Sequence, residues 1–148
     1  MPRVVSLVIL SLLAACGASF EDERDERLGT PVDALIDPAA TVVAHGTFVG
    51  RAGHAGRGGV DLVRSTSGRF ALRFDSAFSV SDTPGPFVVL TSRAEIGTRI
   101  DPATDREIGA LIESAGEQTY AIDDDGGSRQ VFIFCKPFGV EIAKATLQ

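Results

Sequence analysis

The stretch Arg129-Gln130-Val131-Phe132-Ile133-Phe134-Cys135-Lys136 decides the fold. Side chains on an extended chain point alternately to opposite faces. Val131, Ile133 and Cys135 then share one face, and Phe132 and Phe134 the other. Both faces are apolar, which predicts a central strand covered on both sides. Upstream, Phe70, Leu72 and Phe74 alternate with Ala71, Arg73 and Asp75, the pattern of a strand with one buried face. Ser65-Thr66-Ser67-Gly68 is turn chemistry and joins Val60–Arg64 to Arg69–Phe74 as a hairpin. Phe87-Val88-Val89-Leu90 is a continuous apolar strand behind Pro84-Gly85-Pro86, whose prolines cannot donate to a ladder. Gly46–Gly50 around Phe48, Ala77–Val80, Gln118–Ile122 and Phe138–Leu147 complete the series. About eight short strands with turn signals every ~8–12 residues predict an all-β fold: one small antiparallel sandwich or barrel-like domain. Residues 101–115 read differently. Asp101 before Pro102, then Ile108, Leu111 and Ile112 at helical spacing, predict a short helix or turn ending near Gly116. Gly109 opposes the helix by about 1 kcal/mol relative to Ala.

Composition bounds the function. The chain has 148 residues, 14 Lys+Arg against 20 Asp+Glu and a net charge of −6, which argues against a nucleic-acid partner and its concentrated basic face. Hydrophobic residues make up 44%, enough for a globular core. No apolar run reaches the ~20 residues of a membrane span. Two Cys exclude a disulfide-dense scaffold and a four-cysteine metal site.

The beginning of the chain reads as an address. Arg3 precedes an apolar stretch, Val4–Ala14, that is too short to span a bilayer and ends in Leu13-Ala14-Ala15-Cys16. This resembles the lipobox of bacterial lipoproteins. The resemblance implies cleavage after residue 15, acylation of Cys16 and a membrane anchor, since two or more acyl chains hold a protein stably on a bilayer. Gly17 is not the Asp that retains such proteins at the inner membrane, which leans towards the outer membrane of a two-membrane envelope. The expected organisation is a signal peptide over 1–15, a lipidated N-terminus and flexible linker over 16–43, and a β domain over 44–148. The linker carries the charge run Glu21-Asp22-Glu23-Arg24-Asp25-Glu26-Arg27, which has no apolar face with which to dock. The domain would face the periplasm or the exterior.

Several short motifs keep a familiar order across the β domain: Gly46-Thr47-Phe48, His54 with Gly58-Gly59-Val60, Phe78 with Pro84-Gly85-Pro86-Phe87-Val88-Val89-Leu90, Gly116-Glu117-Gln118-Thr119-Tyr120, Val131–Phe138 with its Cys135, and Ala145-Thr146-Leu147. Together they resemble the DM-thirteen domain, a small all-β module described as an electron-transfer domain. The connection over 93–107 is longer and more charged than that family's usual one. The resemblance implies a redox role for Cys135, as a bare thiol or as the holder of a prosthetic group, and an envelope protein as redox partner.

The residues themselves leave two readings of Cys135 open. It is the one thiol left once Cys16 is acylated, and a thiolate stabilised by positive charge is reactive. Lys136, however, points to the opposite face, and Val131 and Ile133 would quiet the sulfur, as in a small buried hydrophobe. A haem or other prosthetic group would need His54 with Cys135, and no C-x-x-C-H or H-x₃-H spacing supports it, so no cofactor is assigned. His45 is the other imidazole. Gly50–Gly59 with Arg51 and Arg57 reads as a hairpin loop in preference to an anion cradle. Asp123–Asp125 reads as a solvated turn and lacks the spacing of a calcium loop. Tyr120 is expected to pack with its hydroxyl paired at a sheet edge. The functional expectation is a membrane-anchored accessory redox module acting through Cys135. The alternative is a non-catalytic binding or structural module of the envelope with Cys135 inert.

Overall fold

A computed structural model describes residues 39–123 and 127–148, which form eleven strands and no helix. They are β1 (Thr41–Thr47), β2 (Val49–Gly50), β3 (Gly56–Arg57), β4 (Gly59–Arg64), β5 (Phe70–Phe74), β6 (Ser79–Val80), β7 (Pro86–Thr91), β8 (Asp105–Ala110), β9 (Gln118–Ile122), β10 (Gln130–Cys135) and β11 (Val140–Thr146). A four-stranded sheet has the order β1-β4-β5-β9, a five-stranded sheet the order β2-β11-β10-β7-β8, and β3 pairs with β6. Every pairing is antiparallel. The all-β sandwich is therefore as the sequence predicts, and β10 is the middle strand of its sheet. The three strands beyond the expected eight are β3, β8 and the division of one predicted strand at Phe48 into β1 and β2. That division is a corner. β1 pairs with β4 in one sheet and β2 with β11 in the other, so one bent segment serves both layers.

One expectation is corrected. No helix forms over 101–115. Asp101 does cap a turn, accepting from Ala103 N–H at 3.0 Å, and its carbonyl accepts from Asp105 N–H at 2.7 Å. The chain then extends, because Asp105–Ala110 pairs with Phe87–Thr91. Gly109 stands beside the register shift between Val88 and Val89, a place that suits a glycine within a strand. Strand structure begins at Thr41. Thr41 and Val42 pair with Arg64 and Val63, and the β-branched run Thr41-Val42-Val43 suits a pleated strand. The signal stretch 1–15, the lipidation site Cys16 and the rest of the tether to residue 38 lie outside the described residues. Among the described residues no helix is long and apolar enough to cross a membrane.

Each face of β10 has its own core. Val131, Ile133 and Cys135 join the inter-sheet core with Val60, Leu62, Leu72 and Phe74. Phe48, Phe74 and Phe78 meet there with ring centroids 4.7 to 5.1 Å apart, and burying each such ring is worth about 1.5–3 kcal/mol. Phe132 and Phe134 face the other way and pack with Val89, Ile96 and Ile100. The 92–104 connection therefore lies over the outer face of the five-stranded sheet.

Three polar anchors hold that connection down. Glu141 accepts from Ile96 N–H at 2.6 Å, Gly97 N–H at 3.1 Å and Arg51 Nε at 3.2 Å. Lys144 Nζ donates to the Ala94 carbonyl at 2.7 Å. Asp105, whose side chain is 0% exposed, accepts from Thr91, Arg93, Thr104 and the backbone of Asp101. Among the described residues, no connection of this kind lies over the outer face of the four-stranded sheet.

Candidate functional site

Cys135 lies at the end of β10, on the inner face, 2% exposed. Its Sγ–H donates to the Pro84 carbonyl at 3.1 Å, a contact set by the Pro84-Gly85-Pro86 turn. The sulfur thus lies against the backbone of that turn, away from solvent. Lys136 is directed elsewhere, to Glu107 at 2.6 Å and the face of Phe87 at 4.3 Å. His54 sits in the turn between β2 and β3, half-buried. Among the described residues no group of three His, Cys, Asp or Glu side chains is placed to hold a metal ion.

The glycine-rich segment over 50–59 packs tightly and its backbone donors are committed. Arg51 N–H goes to the Ile142 carbonyl, His54 N–H to Arg51, Ala55 N–H to Ser81 Oγ and Gly59 N–H to Asp75. The Arg51 side chain is held by Glu95 and Glu141, and those two carboxylates raise its pKa further. Gly58 needs its lack of a side chain: its φ is +90°, and a Cβ there would collide with the Phe78 backbone. Tyr120 is on the edge strand β9. Its hydroxyl accepts from Ile112 N–H at 2.9 Å and donates to Gln118 Oε1 at 2.6 Å. Burial pushes its pKa up to about 12, against the lowering effect of the Ile112 bond. The Asp123–Asp125 turn falls mostly outside the described residues.

The outer face of the four-stranded sheet carries a cluster that the sequence reading did not assemble. Register places His45 beside Asp61, Asp61 beside Arg73 and Arg73 beside Thr119, a row across all four strands. His45 Nδ1 lies 2.7 Å from Asp61 Oδ1, and Arg73 Nη2 donates to Asp61 Oδ2 at 2.8 Å. Burial raises the Asp61 carboxyl, but the bonds from Arg73 and His45 outweigh it and hold the pKa below the ordinary carboxylate value. Asp61 is therefore ionised at neutral pH and only accepts, so His45 Nδ1 is the donor in their bond.

Beside this row stands Gly59, paired with Thr47 and followed across the sheet by Asp75 and Glu117. An open hollow of about 600 Å³ lies here, lined by both groups of residues. A Cβ placed on Gly59 would sit 2.6 Å from Asp75 Oδ2 and 3.0 Å from His45 Cε1. The signal for this cluster was in the sequence, as polar residues at the outward positions of His45, Asp61, Arg73 and Thr119. Only the strand order brings them together.

No protein-family model, no curated protein and no solved structure matches the chain.

Proposed function

We propose that this protein is a lipid-anchored module of a bacterial cell envelope that works by binding rather than by redox chemistry. The observation that carries the reading is the placement of Cys135: 2% exposed, with its Sγ–H donating to the Pro84 carbonyl. An accessory redox thiol needs access to its partner, and burial of the sulfur speaks against that access. The resemblance to the DM-thirteen domain then speaks for a shared scaffold, without its electron-transfer role. The lipobox-like Leu13-Ala14-Ala15-Cys16 supports the anchor and the envelope location, facing the periplasm or the exterior. The contrast between the two sheets supports the binding role. One outer face is sealed by the 92–104 connection, whereas the other presents a polar hollow.

Maleimide labelling tests this reading. In a Cys16→Ser background, Cys135 is the sole thiol. The expected result is negligible labelling of the folded protein and full labelling in denaturant. Rapid native labelling that disappears in Cys135→Ser would overturn the reading and restore an accessory redox module. A visible absorption band from haem or flavin in protein purified from its own host would do the same.

A further inference from the structure

The two large sheets have four edges between them, and an edge strand presents N–H and C=O groups with which another chain can pair. Three of these edges carry features that blunt such pairing. β1 is bulged between Val42 and Ala44, and its His45 backbone is bonded to Gln148. β2 is two residues long. β8 carries Asp105, Arg106 and Glu107 and pairs with β7 in a shifted register. Short length, charge and bulges are the usual protection of an edge. β9 has none of them. Its sequence, Gln118-Thr119-Tyr120-Ala121-Ile122, is uncharged, free of proline and paired in unbroken register with β5 alone. The bond from Asp75 N–H to the Gly59 carbonyl fixes which backbone groups of β5 face β4. Alternation then turns those of Phe70, Leu72 and Phe74 to β9. Their partners Ile122, Tyr120 and Gln118 face β5 in return. The N–H and C=O groups of Thr119 and Ala121 therefore point away from the sheet, without a partner among the described residues.

Two further features say what a strand added here would carry. Exposed Glu117 and Asp123 bracket β9 in the same alternation as Thr119 and Ala121, and Asp124 and Asp125 follow in the sequence. Arg73, beside Thr119, is held by Asp61. Positive charge at both ends of an added strand complements these carboxylates. On the inner side, Ile112 is 59% exposed and is joined to β9 by its N–H bond to the Tyr120 hydroxyl, so inward apolar side chains have apolar surface to cover. A second copy of this chain fits badly. Antiparallel pairing of two β9 strands through Thr119 and Ala121 sets Glu117 of one copy opposite Asp123 of the other at both ends, and like charges so placed are destabilising.

We propose that β9 accepts an extended segment of a partner protein as an added antiparallel strand, basic opposite Glu117 and Asp123 and apolar on its inward face. The inference rests on the reading of the domain as a binding module and deepens it by naming the class of partner. Main-chain bonds from Thr119 and Ala121 supply affinity, and the two carboxylates with Ile112 select the sequence.

Fluorescence anisotropy with the full chain in detergent at low ionic strength tests the proposal. The probe is the labelled peptide Lys-Val-Thr-Val-Thr-Val-Lys, whose lysines have the spacing of Glu117 and Asp123. Saturable binding is expected, together with slowed hydrogen exchange at the Thr119 and Ala121 amides. N-methylation of the two threonines removes the peptide N–H groups that face β9 and is expected to weaken binding about tenfold or more, the scale of two lost hydrogen bonds. N-methylation of the central valine, whose N–H faces away, is expected to leave binding nearly unchanged. Glu117→Gln is expected to weaken it about threefold, the scale of one solvent-screened ion pair. Ala121→Pro deletes an outward N–H while sparing the ladder to β5 and is expected to abolish binding; the methylated peptides keep the test independent of how that variant folds. Absence of saturable binding overturns the proposal, as does binding indifferent to threonine methylation or unaccompanied by slowed exchange at Thr119 and Ala121. Self-association of the chain that Ala121→Pro abolishes also overturns it and gives the edge to a second copy. None of these results bears on thiol labelling of Cys135, so the two readings fail separately.

Discussion

Asp105→Asn is the sharpest test of how the 92–104 connection is held. The Asp105 side chain is fully buried. Its Oδ1 accepts from Thr91 Oγ1 at 2.7 Å, Arg93 Nε at 2.9 Å and Thr104 Oγ1 at 3.3 Å. Its Oδ2 accepts from the Asp101 N–H at 2.7 Å and from Arg93 Nη2. Asparagine keeps the shape but removes the charge and turns one oxygen into a donor. If the amide nitrogen takes the Oδ2 position, the Asp101 N–H and Arg93 Nη2 lose their acceptor. An unsatisfied buried donor costs about 1–3 kcal/mol, and a hydrogen bond to a charged group is worth about 1.5–3. Arg93 is 33% exposed and can turn partly to water, which puts the sum near the low end of the 3–5 kcal/mol typical of a broken buried pair, about 3 kcal/mol.

Urea unfolding at pH 7 measures this directly. The pH dependence supplies a second readout. Burial raises the Asp105 pKa, but the bonds from Arg93, the Asp101 backbone and Thr91 outweigh it and leave it below the ordinary value. A carboxylate with a depressed folded pKa stabilises fully above its unfolded pKa of about 3.9, and that contribution is lost as pH falls through the folded value. The gap between parent and variant should therefore be constant near neutrality and shrink below about pH 4. A loss under about 1 kcal/mol at pH 7, or a gap that does not narrow in acid, would refute the account of Asp105 as the charged hub of this connection.

Further outcomes follow from other contacts. Gly58→Ala should cost about 2 kcal/mol or more in urea unfolding, whereas Gly97→Ala, with positive φ but open space around it, should cost about 1. The Tyr120 phenol should stay neutral until about pH 12 in the folded state, seen as delayed phenolate absorbance. A raised folded pKa contributes stability that is complete below the unfolded value of about 10 and is lost as pH climbs past it, so the domain should weaken in strong alkali. Cys16→Ala should move the protein from the membrane fraction to the soluble fraction. Retention in the membrane would remove the anchor from the proposal.

The parts of the fold that could be read from the sequence share one property: their pattern is local. β10 shows its two faces in eight consecutive residues, and the β4–β5 hairpin shows its turn between two alternating runs. The 101–115 segment failed because its local signals were correct but incomplete. Asp101 caps a turn as its sequence suggests, and the turn stops because β7 offers β8 a ladder that no local signal announces. The candidate site was less legible still. His45 and Arg73 are 28 positions apart in the chain and meet only through Asp61, on the strand between them. For Cys135, the apolar face of its strand was visible, but the Pro84 carbonyl that accepts its hydrogen bond was not, since that contact spans 51 positions.

The bent β1–β2 segment has a mechanical consequence. Chain preceding Ala39 reaches the domain through Thr41, at the start of β1. From there β1 is laced to β4 along its length, and His45 exchanges two backbone bonds with Gln148 on its other side. Rungs of an antiparallel ladder run perpendicular to the strand. A tug along β1 strains many of them together instead of unzipping them singly, and the bend at Phe48 passes the load into both layers. A pull on the chain at Thr41 would thus fall on many rungs at once.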